Sequence, residues 1–66
     1  MPRTLEELAA MIAKRDKIDF VNAMAAVRDC AADMEYAFYN GNLDLAEQIL
    51  AEDLGLEPDY IDLFIF

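Results

Sequence analysis

Phe20-Val21-Asn22-Ala23-Met24-Ala25-Ala26-Val27-Arg28-Asp29-Cys30-Ala31-Ala32-Asp33-Met34-Glu35-Tyr36-Ala37-Phe38-Tyr39-Asn40-Gly41-Asn42 is the stretch that decides the fold. Within it Phe20, Met24, Val27, Ala31, Met34 and Phe38 recur at alternating steps of four and three. That spacing keeps them on one face of a helix for about five turns. Ala23, Cys30 and Ala37 widen the face on one flank, so the pattern predicts a helix clasped by two neighbours. The same spacing is that of a coiled-coil seam between two chains, and both readings stand at this level. Asn40-Gly41-Asn42 ends the helix, with Gly41 in place for the left-handed residue that follows a last turn.

The elements on either side are also helical. Thr4 and Glu7 form the capping box T-x-x-E ahead of the apolar residues Leu5, Leu8, Ala9 and Ile12. This first helix should end in Lys14-Arg15-Asp16-Lys17, after which Asp16 or Asp19 caps the long one. A third helix from about Leu43 to Leu54 should bury Leu43, Ala46, Ile49 and Leu50 and end at Gly55. Pro58 suits the first position of a short final helix, where its missing amide costs nothing, and that helix carries Tyr60, Ile61, Leu63 and Phe64. No strand pattern, linker or low-complexity tract interrupts the series. The expectation is an all-α fold, a compact bundle of three to four helices around one long central helix, with residues 1–66 as a single domain.

Composition puts two demands in tension. A chain of 66 residues, 58% of them apolar, has more apolar side chain than the usual ~45–50%, yet a domain near this size buries only about 60% of its unfolded surface. Eleven alanines ease the conflict, because alanine sits comfortably on a helix surface. The larger residues Tyr36, Phe38, Tyr39, Tyr60, Phe64 and Phe66 should be partly exposed unless a homodimer or a partner protein covers them. The single cysteine excludes an internal disulfide. Met1-Pro2-Arg3-Thr4 leads into no apolar signal core, and no run approaches the ~18 apolar residues of a membrane span. A cytoplasmic protein with no membrane contact is expected.

Charge is distributed unevenly. The first 28 residues hold five basic and four acidic residues, a net +1, whereas everything from Asp29 onward holds ten acids and no base, a net −10. A one-signed surface on so small a body repels polyanions and steers basic partners toward itself. Direct nucleic-acid binding is therefore not expected.

The residue inventory removes most chemistry. There is no histidine, serine or tryptophan, and Thr4 is the one threonine. Nucleophilic catalysis needs a nucleophile beside a base, and Cys30 lies on the apolar flank of the long helix with no histidine to activate it. Zinc needs clustered cysteine and histidine, and a phosphate loop needs more glycine than Gly41 and Gly55. An acid–base carboxylate pair needs a shielded pocket, for which a domain of this size has little room. The stretch beginning at Asn40 starts like a calcium loop, but its sixth position is Leu45 instead of glycine and its twelfth is Ala51 instead of glutamate. No enzyme activity, cofactor or metal is expected.

Three resemblances bear on function. Residues 46–64, from Ala46 through Leu54-Gly55-Leu56-Glu57-Pro58-Asp59-Tyr60-Ile61-Asp62-Leu63-Phe64, resemble the helix-turn-helix of AraC-type regulators, whose Leu-Gly-Leu-x-Pro-x-Tyr run they share. The resemblance implies a helix-turn-helix geometry. Asp59 and Asp62 stand where that family presents polar and basic residues to the major groove, so phosphate binding is argued against. Residues 37–50 are similar to the helix-turn-helix portion of an ankyrin repeat, without a second copy in the chain. In size and charge the chain is similar to the small acidic proteins with which phages disable host defence and transcription, anti-CRISPR proteins among them.

These observations lead to one functional expectation and two alternatives. The first is a small protein-binding inhibitor of anti-CRISPR-like type, a nucleic-acid mimic whose negative face occupies a basic, nucleic-acid-binding surface of a host protein. Asp29 and Asp33 are one turn apart, with β-carbons about 5–6 Å apart on a helix, comparable to neighbouring phosphates along a strand. The candidate contact residues are Asp29, Asp33, Glu35 and Tyr36 on the long helix, and Asp44, Glu47, Asp59 and Asp62 beyond it. Glu52, Asp53 and Glu57 extend the array if the third and fourth helices align with it. One alternative is an oligomeric helical adaptor that uses its aromatic C-terminal region as contact surface. The other is a degenerate helix-turn-helix regulator acting through protein contacts.

Overall fold

Thr4 takes an extended backbone at the N-cap, and its hydroxyl accepts the Glu7 amide at 3.1 Å, starting helix α1 (Leu5–Asp16). This is a computed structural model, and it describes residues 1–65. The Glu7 carboxylate turns back to accept the Thr4 hydroxyl at 3.3 Å and the Arg3 amide at 3.2 Å, so the cap is reciprocal, with the returning bond one residue before the Thr4 amide of the standard box. α1 ends on Lys17, whose φ of 57° places a side-chain-bearing residue in the left-handed region. The Ile18 amide closes that turn on the Ala13 carbonyl at 3.0 Å.

Asp19, rather than Asp16, caps α2 (Phe20–Tyr39): its carboxylate accepts the Asn22 amide at 2.8 Å. Asp16 is held instead by Arg15. At the other end Gly41 is left-handed, the Asn42 amide reaches the Ala37 carbonyl at 2.8 Å, and the Gly41 amide reaches Phe38 at 3.0 Å. This pair of bonds satisfies carbonyls that the helix end would leave open. The Asn42 side chain then accepts the Leu45 amide at 3.1 Å and starts α3 (Leu43–Leu54). One three-residue turn therefore stops one helix and caps the next.

The final segment, Pro58–Phe64, is a 3₁₀ helix with Pro58 in its first turn. In so short a segment, i→i+3 bonding leaves fewer groups unpaired, and its threefold period stacks Ile61 on Phe64 and Tyr60 on Leu63. Phe64 is buried, and the other three pack half-buried on the core. The helix-turn-helix geometry implied for residues 46–64 is therefore not formed. Among the described residues α3 is followed by the left-handed Gly55 and a 3₁₀ segment, with no second α-helix to lie in a groove.

α2 is the longest element and packs against both α1 and α3, while α3 also packs against the 3₁₀ helix. The core joins Leu8 and Ile12 of α1 with Val27, Cys30 and Met34 of α2, Leu50 and Leu54 of α3, and Leu56 and Phe64. On α2 the buried line is Ala23, Val27, Cys30, Met34 and Ala37. It is rotated from the expected stripe: the small flank residues form its centre, while Met24, Ala31 and Phe38 are half-buried edges and Phe20 is exposed. α1 and α3 both pack on α2, and small side chains on its buried line let them approach at native packing density. The expected burial of Leu43 is also not realised; α3 buries Ala46, Leu50 and Leu54, and Leu43 projects beside that line into solvent. Phe66 lies outside the described residues. No helix of the described residues is long and apolar enough to cross a membrane.

Candidate protein-binding surface

The carboxylates of the acidic half meet across two helices. Asp29 and Asp33 are one turn apart on α2, and Asp53 is in the last turn of α3, seven residues beyond the buried Ala46 and so on the same face. The Asp53 carboxyl is raised above the usual carboxylate range. Partial burial is the largest cause; hydrogen bonding with Asp33 follows, then the negative charges of Asp33, Glu52 and Asp29. Both neighbours and desolvation favour the protonated form here. Asp29, Asp33, Glu52 and Asp53 thus form one acidic edge where α2 meets α3.

No cation answers this edge. Among the described residues the only ion pair within 4 Å is Arg15 with Asp16, which are neighbours on α1. The last turns of α2 and α3 contain no basic residue, and that of α3 holds Glu52 and Asp53, the unfavourable sign for the negative end of its dipole. No group of three acidic or thiol side chains among the described residues is arranged to hold a metal ion.

Cys30 lies directly beneath this edge, fully buried, with its thiol 3.6 Å from the Met34 sulfur. Its pKa is pushed up to about 12, first by burial and then by the charges of Asp53 and Asp33. It is a protonated core thiol, inert as a nucleophile at neutral pH.

The remaining candidate residues are dispersed. Glu35 is two positions past Asp33 and about 200° further around α2. With Tyr36 it lines an open groove of about 970 Å³ whose walls include Arg28, Tyr39, Leu43 and Ile65. Asp62 lines a smaller groove of about 370 Å³ together with Arg3 and Glu6, beside the start of α1. Asp44 is exposed in the first turn of α3, at the favourable end of that helix dipole, and Glu47 is half-buried one turn on. Asp59 is exposed in the first turn of the 3₁₀ helix. Of the eight candidates, then, Asp29 and Asp33 share one edge, Glu35 and Tyr36 share a groove, and Asp62 sits near a base.

Two residues outside those eight, Glu52 and Asp53, complete the acidic edge. The spacing of Asp53 from Ala46 was the available signal, because seven residues return a side chain to the same helical face. No family model, no curated protein and no solved structure matches this chain.

Proposed function

We propose that the chain is a small protein-binding inhibitor whose acidic α2–α3 edge docks on a basic, nucleic-acid-binding surface of another protein. The observation that supports this reading is the edge itself: Asp29, Asp33, Glu52 and Asp53 lie close enough to repel one another, with no ion-pair partner within 4 Å among the described residues. Carboxylates held close against their own repulsion gain more from an incoming guanidinium or ammonium than isolated ones do. Charge-assisted hydrogen bonds to such groups are about twice as strong as neutral ones. The inhibitor acts by occupancy, excluding the polyanion that the basic surface otherwise holds, in the cytoplasm of a host cell in the manner of a phage anti-defence protein.

The test is affinity capture from a bacterial lysate at low and high salt, followed by displacement of nucleic acid from the captured protein. Electrostatic docking weakens steeply with ionic strength. Asp29→Asn, Asp33→Asn and Asp53→Asn combined should abolish capture. A control with Asp44→Asn, Asp59→Asn and Asp62→Asn changes net charge equally and should retain it. Equal losses in the two variants would reduce the effect to net charge and reject the edge, as would capture indifferent to salt.

A further inference from the structure

The outer face of α2, opposite its core line, carries a second regular stripe. Val21, Ala25, Arg28, Ala32, Glu35 and Tyr39 recur at steps of four, three, four, three and four, the spacing of a helix–helix seam. All six are exposed, Val21 at 75% and Tyr39 at 91%. Tyr36 at 71%, Leu43 and Ile65 extend the apolar surface along the groove. A solvated helix face is normally polar, and this one holds two charges among apolar side chains.

Those two charges are left without partners by their own helix. One turn either side of Arg28 stand Ala25, Met24, Ala31 and Ala32; around Glu35 stand Ala31, Ala32, Phe38 and Tyr39. No residue there can form the usual i,i+3 or i,i+4 pair, and neither Arg28 nor Glu35 has an ion-pair partner among the described residues. They are seven residues apart, about 10.5 Å along the axis. The point midway between them falls between Ala31 and Ala32.

We propose that this face is the contact between two copies of the chain, with the α2 helices antiparallel about a twofold axis near Ala31 and Ala32. The twofold brings Arg28 of each copy to Glu35 of the other, so the lone cation and the lone anion satisfy each other twice. Such an isologous contact requires a self-complementary patch, and one base with one acid placed symmetrically about alanines provides it. The alanines at the crossing let the axes approach to the lower part of the ~8–10 Å range for packed helices. Tyr39 of one copy then covers the Val21–Met24 stretch of the other. A basic partner is drawn instead to the acidic edge on another flank of α2, whereas this groove is balanced in charge and apolar in between. The inference is independent of the acidic-edge reading, because losing the dimer leaves Asp29, Asp33, Glu52 and Asp53 unchanged.

Sedimentation equilibrium of the full chain, from tens to hundreds of micromolar, tests the proposal. The wild type should sediment at twice its 7.5 kDa mass as concentration rises. It should associate more tightly at higher salt, which screens the repulsion between two chains of net charge −9. Arg28→Glu and Glu35→Arg each place two like-charge pairs at the contact and should each weaken association at least about tenfold. Circular dichroism checks that both remain helical. Mixed in equal amounts, the two single variants should recover a heterodimer of wild-type affinity, since both cross-pairs are then opposite in sign. A wild-type monomer throughout would overturn the proposal. So would a dimer indifferent to either substitution, or a mixture that stays monomeric.

Discussion

Arg15 should contribute more to stability than any other basic residue of this chain. It projects from the last turn of α1, and its Nη2 donates to the Leu54 carbonyl, the last of α3, at 2.8 Å. Through Nε and Nη2 it also holds Asp16, at 2.8 and 2.9 Å. Gly55 and Leu56 amides close on the Ala51 and Leu50 carbonyls, which leaves Leu54 to be satisfied from outside the helix. α3 has no basic residue in its own last turn, so the guanidinium also supplies the positive charge which that end of the dipole favours. A hydrogen bond from a charged donor is worth about 1.5–3 kcal/mol. A side chain 41% exposed keeps only part of that value because solvent screens it. The dipole adds about 0.3–1 kcal/mol, so Arg15→Ala should cost roughly 1–2 kcal/mol. Total stability at this length is on the order of 3–10 kcal/mol, and the loss is therefore a large share.

Urea unfolding followed by circular dichroism measures it, with a thermal shift of roughly 4–8 °C per kcal/mol for a domain of this size. Arg15→Met keeps the stem and its packing while removing the charge, and should lose nearly as much as alanine. Arg15→Lys keeps the dipole contribution but not the fork, and should lie about midway. Hydrogen exchange of the Gly55 and Leu56 amides should accelerate in the alanine and methionine variants. If Arg15→Ala stays within about 0.3 kcal/mol of the wild type, no more than a weak surface pair gives, the α1–α3 tie is refuted. If Arg15→Met behaves as the wild type, packing rather than charge is responsible.

Two further changes test backbone strain and repulsion within the acidic edge. Lys17 occupies the left-handed region at φ 57°, which costs a side-chain-bearing residue roughly 1–2 kcal/mol. Lys17→Gly should raise stability by about 0.5–1 kcal/mol once the added freedom of the unfolded chain is deducted, and a drop in urea midpoint would contradict the assignment. Asp53 has a raised carboxyl in the folded state, so the folded chain binds its proton more tightly than the unfolded one. Its contribution is most favourable below the unfolded value of about 3.9 and is lost as pH rises through the higher folded value. Asp53→Asn should therefore be more stable than the wild type at pH 7, and the difference should vanish as the pH is lowered toward 4. A variant less stable at pH 7, or an advantage independent of pH, would refute it.

The helices were legible because their ends are written in single residues. Thr4, Gly41 and Gly55 have one good physical role each, and each plays it. The choice between Asp16 and Asp19 as cap was not legible, since it turned on where α1 stops: Asp16 is its last residue, and Asp19 directly precedes Phe20. The centre of the α2 face was misplaced because hydrophobicity ranks Phe20 above Ala23, whereas close helix contact selects for size. The 3₁₀ geometry after Pro58 depends on stacking against the core, which local propensity does not encode. For the surface, the sequence located the block of ten acids but not their grouping. Asp33 and Asp53 are twenty residues apart and meet only because α2 and α3 form a hairpin.

The placement of the acids runs against the fold's own interest, and this is the physical argument behind the proposed docking edge. Glu52 and Asp53 occupy the last turn of α3, where negative charge opposes the dipole and a lysine would favour it by about 0.3–1 kcal/mol. Asp33 faces Asp53 and adds repulsion across the helix pair. In a domain whose stability is on the order of 3–10 kcal/mol, such terms are not negligible. Among the described residues no cation pairs with them within 4 Å; Arg15 reaches the Leu54 carbonyl but not the carboxylates of the edge. At neutral pH, where these carboxylates are charged, a cation from outside would relieve that repulsion. By linkage, whatever binds the edge also stabilises the folded chain. On the proposed function, the carboxylates that weaken the isolated domain would strengthen its complex, so neutralising Asp53 should move folding stability and partner affinity in opposite directions.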